Sequence, residues 1–203
     1  MSRFQFIKPS EPIERSLPPE GNDRLHEIKW DGYRAQLHKK DDDVHIFSRN
    51  GKWMPRFKPM LEPLSRLPTK SAIIDAEFVA LNAKGLPDFR ALVSGQSHSL
   101  VCFCFDLLEL NGKDMKPLPL VKRRAVLEKL LAKGAIPELA YSEAQADAVA
   151  LLFRLDGLGM EGIVSKLKTQ PYVSGRNAGW QKTKCHVWRK ANSDRGSLFN
   201  RKQ

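Results

Sequence analysis

Along much of the chain, apolar and polar residues alternate with a period of two in short stretches bounded by turn-forming residues. Leu25, Glu27 and Lys29 alternate with His26, Ile28 and Trp30, which predicts a strand ending near Lys29. Asp31-Gly32 is a turn signal, and Tyr33, Ala35 and Leu37 alternating with Arg34, Gln36 and His38 predict the next strand. Residues 44–48 predict a third, after a solvated turn at Asp41-Asp42-Asp43. Two longer apolar runs, residues 72–81 and 100–110, predict buried strands, the first interrupted by Asp75 and Glu77 and the second by Asp106. Asn111-Gly112 closes the second run as a turn. Glycines end a helical stretch at Gly157 and Gly159, a strand starts at Gly162, and a late strand carries Lys182 and Lys184 on alternate positions.

Helical spacing takes over in between. Phe57, Met60, Leu61, Leu64 and Leu67 lie on one helical face, although Pro59 and Pro63 require that helix to start late or kink. Residues 87–92 predict a short helix capped by Asp88. Residues 120–132 predict a longer one with Lys122, Arg123 and Arg124 on its first turns. Ser142 with Gln145 has the form of a capping box for a helix running to about Leu155. Pro9, Pro12, Pro18, Pro19 and Gly21 make residues 1–24 an extended arm with no chemistry assigned to it. Residues 185–203 contain no second domain, and no repeat or low-complexity tract occurs anywhere.

Composition narrows the partners. The 203 residues, 41% of them hydrophobic, suffice for the core of one domain. Lys and Arg number 34 against 23 Asp and Glu, a net charge of +11 that favours a polyanion, nucleic acid first. No segment approaches the roughly 20 apolar residues of a membrane-spanning helix, and the first six residues lack a signal-peptide core, so a cytoplasmic protein with no membrane role is expected. Cys102, Cys104 and Cys185 form no C-x-x-C pair and are expected to be buried free thiols. From Lys182 to Gln203 seven Lys or Arg face one acid, Asp194, a local charge of +6 with Trp188 among the cations. That end is the nearest candidate for holding nucleic acid, with Lys122, Arg123 and Arg124 as the alternative.

The candidate nucleophile is Lys29. A free lysine, with a pKa of about 10.4, is protonated at neutral pH and must be made less basic before it attacks. Lys182 and Lys184 are expected to repel its ammonium form and neutralise phosphate oxygens. Asp75 and Glu77 interrupt a buried strand, so they require partners, a metal or an open cleft, and the cleft is the reading adopted. Glu77 and Glu161, from separate strands, could hold Mg2+ or Mn2+ beside waters.

In order and spacing, six motifs resemble the series of the covalent nucleotidyltransferases. They are Lys29-Trp30-Asp31-Gly32 with Arg34, Ser48-Arg49-Asn50-Gly51, Asp75-Ala76-Glu77, Phe105-Asp106, Glu161-Gly162-Ile163-Val164-Ser165-Lys166 and Trp180-Gln181-Lys182-Thr183-Lys184. Among these enzymes the closest resemblance is to ATP-dependent DNA ligases of the bacterial end-joining type, ligase D, and it covers residues 25–184. It implies an α+β, ATP-grasp-like adenylation domain, with antiparallel sheets flanked by helices and a central nucleotide cleft. The implied activity is ATP-dependent ligation of DNA: AMP is carried on Lys29 and nicks are sealed in double-stranded DNA, in repair. The implied catalytic set is Lys29, Asp31, Arg34, Lys182 and Lys184. Glu27 would read the adenine amino group, and Phe105 and Val164 would sandwich the ring. Arg34 and Arg49 would contact ribose or nick phosphates, Glu77 ribose or metal, and Glu161 metal, with Ile28 and Lys166 in the nucleotide-binding set. A monomer working with end-joining or repair proteins is expected. Ala76 stands where the family commonly has glycine, and the 19 residues after Lys184 are too few for the OB-fold domain with which such ligases continue. The alternatives are an RNA ligase or a GTP-using capping-type nucleotidyltransferase, and, from another class, a non-catalytic DNA-binding subunit.

Overall fold

The computed structural model describes residues 4–95 and 99–193. In chain order its elements begin with the strands β1 (Ser10–Glu14), β2 (Arg24–Ile28), β3 (Tyr33–Lys40) and β4 (Asp43–Ser48). A 3-10 turn (Pro55–Met60) runs into α1 (Leu61–Ser65), followed by β5 (Ser71–Ala80), α2 (Phe89–Ser94), β6 (Leu100–Leu110) and β7 (Lys113–Asp114). Then come α3 (Leu120–Gly134), β8 (Leu139–Tyr141), β9 (Ala144–Gln145), α4 (Ala148–Gly157), β10 (Gly162–Leu167), β11 (Gly175–Lys184) and α5 (His186–Ala191).

The period-two segments divide between two sheets. One has the order β1-β11-β10-β2-β9; the other runs β4-β3-β5-β6-β7, with β8 also pairing β6. Antiparallel ladders dominate, and two parallel pairings, β1 with β11 and β8 with β6, are added at the sides. β2 and β3 lie in different sheets, so the Asp31-Gly32 turn is a crossover between layers and not the tip of a hairpin. The largest apolar cluster joins one face of the second sheet, through Leu37, Ile46, Ile74, Phe78 and Leu107, to Phe57 and Leu64 and to Leu127 and Leu131 of α3. A smaller cluster holds α4 against Ile163 and Cys185, and a third, of Phe105, Leu108, Tyr172 and Trp180, joins the second sheet to the first. All three cysteines are buried and free, as expected. Among the described residues no helix is long and apolar enough to cross a membrane.

Two expectations need correction. Five residues of the supposed arm form β1, whose Pro12 is tolerated because the strand lies at an edge. The helix after Ser142 starts later, at Ala148. Its cap is Asp147, whose carboxylate accepts from the N–H groups of Val149 and Ala150, while Ser142 is buried and receives the indole N–H of Trp30. The helical face from Phe57 kinks at its prolines as expected, into the 3-10 turn and the five-residue α1.

Residues just before β1 and at its start explain why the polar face of β3 is buried. Gln36 accepts from Ile7 N at 2.9 Å and donates to Ile7 O at 2.9 Å, while Arg34 donates to Ser10 O at 2.5 Å. His38, 1% exposed, lies 2.8 Å from Gln36 Oε1 and edge-on to Phe47. Burial, with His45 opposite adding to it, pushes His38 down to about 4. The folded chain therefore binds fewer protons here than the unfolded chain between pH 6.5 and 4, so this contribution is complete above pH 6.5 and is lost as pH falls through that window. The difference is about 3 kcal/mol at most. Urea unfolding of the wild type and His38→Gln at pH 7 and pH 4 checks this: the wild type should lose more stability on acidification than the variant, and equal losses would exclude the histidine as the cause.

Candidate active site

A cleft of about 930 Å³ opens where the two sheets diverge. One wall comes from β2, β10 and β11 through Glu27, Ile28, Val164, Lys166 and Lys182, and the other from β3, β5 and β6 through Arg34, Glu77 and Phe105. Lys29, Trp30, Asp31 and Gly32 cross between the walls, Arg49 and Asn50 form one rim, and Trp188 of α5 forms another. Gly32 is required at the crossing, because a Cβ there would lie 2.0 Å from Phe78 O.

Lys29 is fixed at both ends. Its N–H donates to Gly162 O at 2.8 Å, and its Nζ donates to Glu161 Oε2 at 2.8 Å. Glu77 faces the same space, and its carboxyl is pushed up to about 8, first by burial and then by Glu161 and Asp75, against the opposing pull of Lys29 and Arg34. Trp30 stacks on Phe103 of β6 with ring centroids 3.5 Å apart, so the residue after the lysine binds the crossover to the opposite sheet.

Glu27 lies at the floor. Lys166 Nζ is 2.7 Å and Arg124 Nη1 2.9 Å from its Oε1, and all three groups are buried. Lys166 also sits over the rings of Phe105 and Trp180, at 4.3 and 4.2 Å. Its immediate partners are thus Glu27 and the aromatic wall. Asp75 and Glu77 separate: Glu77 faces the cleft as expected, whereas Asp75 is fully buried, receiving a two-pronged contact from Arg34 at 3.0 and 2.7 Å and the hydroxyl of Tyr172 at 2.6 Å. Arg34 is held charged by Asp75 and spends its guanidinium on that carboxylate and on Ser10 O. It serves here as a brace of the wall, a role that the motif spacing does not reveal.

The two lysines of β11 behave differently from expectation. Lys182 lines the cleft and lies 3.5 Å from Glu14; Lys184 turns to Glu14 at 3.9 Å and to the ring of Trp188 at 4.9 Å. Burial raises the Glu14 carboxyl, but Lys184, Lys182 and Arg189 outweigh it and hold the group below its usual range. Lys29 is paired with Glu161, whereas Lys182 and Lys184 are drawn to Glu14, so the nearest ion-pair partners of the three lysines are carboxylates. Arg49 meets Glu11 at 3.5 Å on the rim, and Asp31 receives the Trp188 indole N–H at 3.4 Å. Glu11, Pro12 and Glu14 of β1 thus belong to the site's surroundings, as the Pro-rich composition of that segment gave no reason to expect.

The alternative DNA grip is overturned. Arg123 and Arg124 are buried, Arg123 pairing with Asp106 at 2.7 and 2.8 Å; of the three, only Lys122 is exposed. Residues 194–203 of the basic end lie outside the described residues, and the part before them turns Trp188 and Arg189 back toward the cleft and Glu14.

Two solved chains share this fold. One is "mycobacterial DNA ligase D complexed with ATP and MES", 26% identical with a TM-score of 0.74, covering 89% of this chain and 62% of that one. The other is the ligase domain of M. tuberculosis LigD, 26% identical with a TM-score of 0.75, covering 87% and 60%. The fold is that of the nucleotidyltransferase domains of ATP-dependent DNA ligases. A family model described as the ATP dependent DNA ligase domain matches residues 6–184, and the chain belongs to that family. Curated relatives include "Multifunctional non-homologous end joining protein LigD" of Pseudomonas aeruginosa, 34% identical over 176 residues and 84% of this chain. A "Probable DNA ligase" of Rhodococcus jostii is 34% identical over 193 residues and 90% of this chain. This chain spans 21% and 38% of the length of those two relatives. The resemblance read from the motif series is thereby borne out.

Breaking the Arg123–Asp106 pair leaves a buried charge without its partner, which costs about 3–5 kcal/mol. Chemical denaturation should therefore find Arg123→Ala severely destabilised and Lys122→Ala within about 0.5 kcal/mol of the wild type. Equal, small effects would contradict the buried role.

Proposed function

We propose that this chain is the adenylating domain of an ATP-dependent DNA ligase. It forms lysyl-AMP on Lys29 and passes AMP to the 5′-phosphate of a nick in double-stranded DNA, where the 3′-hydroxyl displaces it. Such a domain would act in the cytoplasm as a monomer, alongside end-joining or repair proteins. The observation that carries the reading is the seat of Lys29, 2.8 Å from Glu161 in a cleft that also holds Glu77, Phe105 and Val164.

In the first step the Lys29 ammonium gives up its proton along its hydrogen bond to Glu161, and the freed amine bonds to the α-phosphorus of ATP. The bond from that phosphorus to the bridging oxygen breaks, and pyrophosphate leaves. Positioning and charge neutralisation carry most of such a transfer. Glu27 would accept from the adenine amino group, with Phe105 and Val164 on the two faces of the ring and Ile28 beside it. Arg49 and Lys182 would meet ribose or phosphate oxygens, a task for which Arg34 is less free because Asp75 and Ser10 O occupy it. Asp31, anchored to Trp188, would hold the crossover, and Lys184 would hold Trp188.

The donors suit a divalent cation. Glu77 on β5 and Glu161 just before β10 line the same cleft and are hard oxygen donors, so they are the residues that would hold such an ion. Among the described residues no group of three or more His, Cys, Asp or Glu gathers for a metal, so waters and phosphate oxygens would complete the shell, as Mg2+ or Mn2+ accepts. When bound, such an ion supplies neutralisation of phosphate charge. The net charge of +11 suits the DNA backbone, and that contact should weaken steeply with salt.

Incubation with ATP labelled in its α-phosphate tests the reading. The wild type should become labelled, and Lys29→Ala should not, while the variant stays folded in a thermal melt because the side chain is not core packing, the loss of its pair with Glu161 showing only as a lowered midpoint. Full labelling of Lys29→Ala would remove Lys29 from the chemistry.

A further inference from the structure

Arg124 is a charged helix residue only 3% exposed, and its position accounts for more than the packing of α3. Its Nη1 lies 2.9 Å from Glu27 Oε1 and donates to Phe105 O at 3.1 Å; its Nη2 donates to Ser142 O at 2.7 Å; and its guanidinium lies 4.7 Å from the Tyr141 ring centroid. Glu27 is on β2 and Phe105 on β6, strands of different sheets that share no ladder. One planar fork therefore ties the floor of the cleft to its aromatic wall. A lysine could supply the charge but not the fixed geometry of several donors.

The second cation on Glu27 comes from the other side. Lys166 reaches the same oxygen at 2.7 Å while covering Phe105 and Trp180. Both cations make their closest approach to Oε1, and the Glu27 side chain still lines the cleft, where it can accept from a ligand. A carboxylate oriented between two cations is placed to accept a hydrogen bond from an amino group and to repel a carbonyl oxygen at the same place.

We propose that Arg124 is a positioning residue for base selection. By clamping Glu27 Oε1 and the Phe105 backbone together, it fixes both the hydrogen-bond acceptor and the stacking face that a purine with an exocyclic amino group at its 6-position requires. The proposal rests on the reading of the cleft as a nucleotide site. Arg124 does not touch the nucleotide, and its effect reaches the base through Glu27 and Phe105.

The discriminating probe is ITP, which differs from ATP by carrying a 6-oxo group in place of the 6-amino group. Self-adenylation kinetics with ATP and the matching reaction with ITP are measured for the wild type, Arg124→Lys, Arg124→Met and Glu27→Gln, with thermal unfolding alongside. For Arg124→Lys, KM for ATP should rise about tenfold and kcat should stay within about threefold, because binding contacts and not transition-state contacts are loosened. KM for ITP should change by less than about twofold, so that the preference for ATP narrows. Glu27→Gln should narrow it by itself, and adding Arg124→Lys should narrow it no further. A folded Arg124→Lys that keeps the wild-type preference, or that loses kcat with KM unchanged, would overturn the proposal. Loss of the fold in both Arg124 variants would also overturn it, assigning the residue to the core. A wild type that takes neither nucleotide, or takes both equally, would instead overturn the reading of the cleft or of Glu27.

Discussion

The site depends on the absence of side chains at two points where backbones meet. Gly32 passes so close to β5 that a Cβ would lie 2.0 Å from Phe78 O, and Gly162, with φ of 147°, would bring one within 2.1 Å of Thr183 O. Any other residue at Gly32 would push the crossover off β5 and move Lys29 away from the second sheet. Any other residue at Gly162 would separate β10 from β11 and shift Glu161, which precedes it. Because Lys29 N–H also bonds Gly162 O, the two close approaches are mechanically joined. The lysine and its carboxylate partner meet because the backbone is pinned on both sides of the cleft.

Charge fills the seam that these crossings create. Arg34 with Asp75, Arg123 with Asp106, and Arg124 and Lys166 with Glu27 are ion pairs buried at or behind the cleft walls. Burying such pairs costs desolvation that their attraction repays only with good geometry, so they contribute less to stability than to placing groups. Each braces a cleft residue or its strand neighbour. Arg34 spans the sheets by reaching Ser10 O, and Arg123 ties Asp106 to the carbonyls of Leu118 and Gln170. Part of the basic composition is thus internal scaffolding, and a count of charges overstates what faces a polyanion.

The strands were legible because each buries at least one face against a layer, which enforces alternation, and because the glycines and Asn111-Gly112 mark turns by their backbone needs. The cleft-lining residues on strand ends were legible through motif order. Other features were not, for local reasons. β1 pairs in parallel with β11, some 165 positions away at Ser10 and Gly175, and has neither alternation nor a turn signal to announce it. Asp75 and Glu77 lie on the same side by spacing, yet a bulge between Asp75 and Ala76 in the pairing with β6, and the arrival of Arg34 and Tyr172, give them separate surroundings. Arg123 and Arg124 look like an exposed helix start, because burial of a charge is decided by partners on distant strands. The attraction of Lys182 and Lys184 to Glu14 was hidden for the same reason, since Glu14 belongs to the unrecognised strand.

Nucleotide transfer at the pinned lysine is tested most directly by incubating the protein with ATP and magnesium, digesting it, and mapping the modified peptide by mass spectrometry. AMP should be found on the peptide containing Lys29, bonded through Nζ. AMP on another lysine, or none at all despite bound nucleotide, would contradict the assignment of Lys29 and Glu161 as the reacting corner.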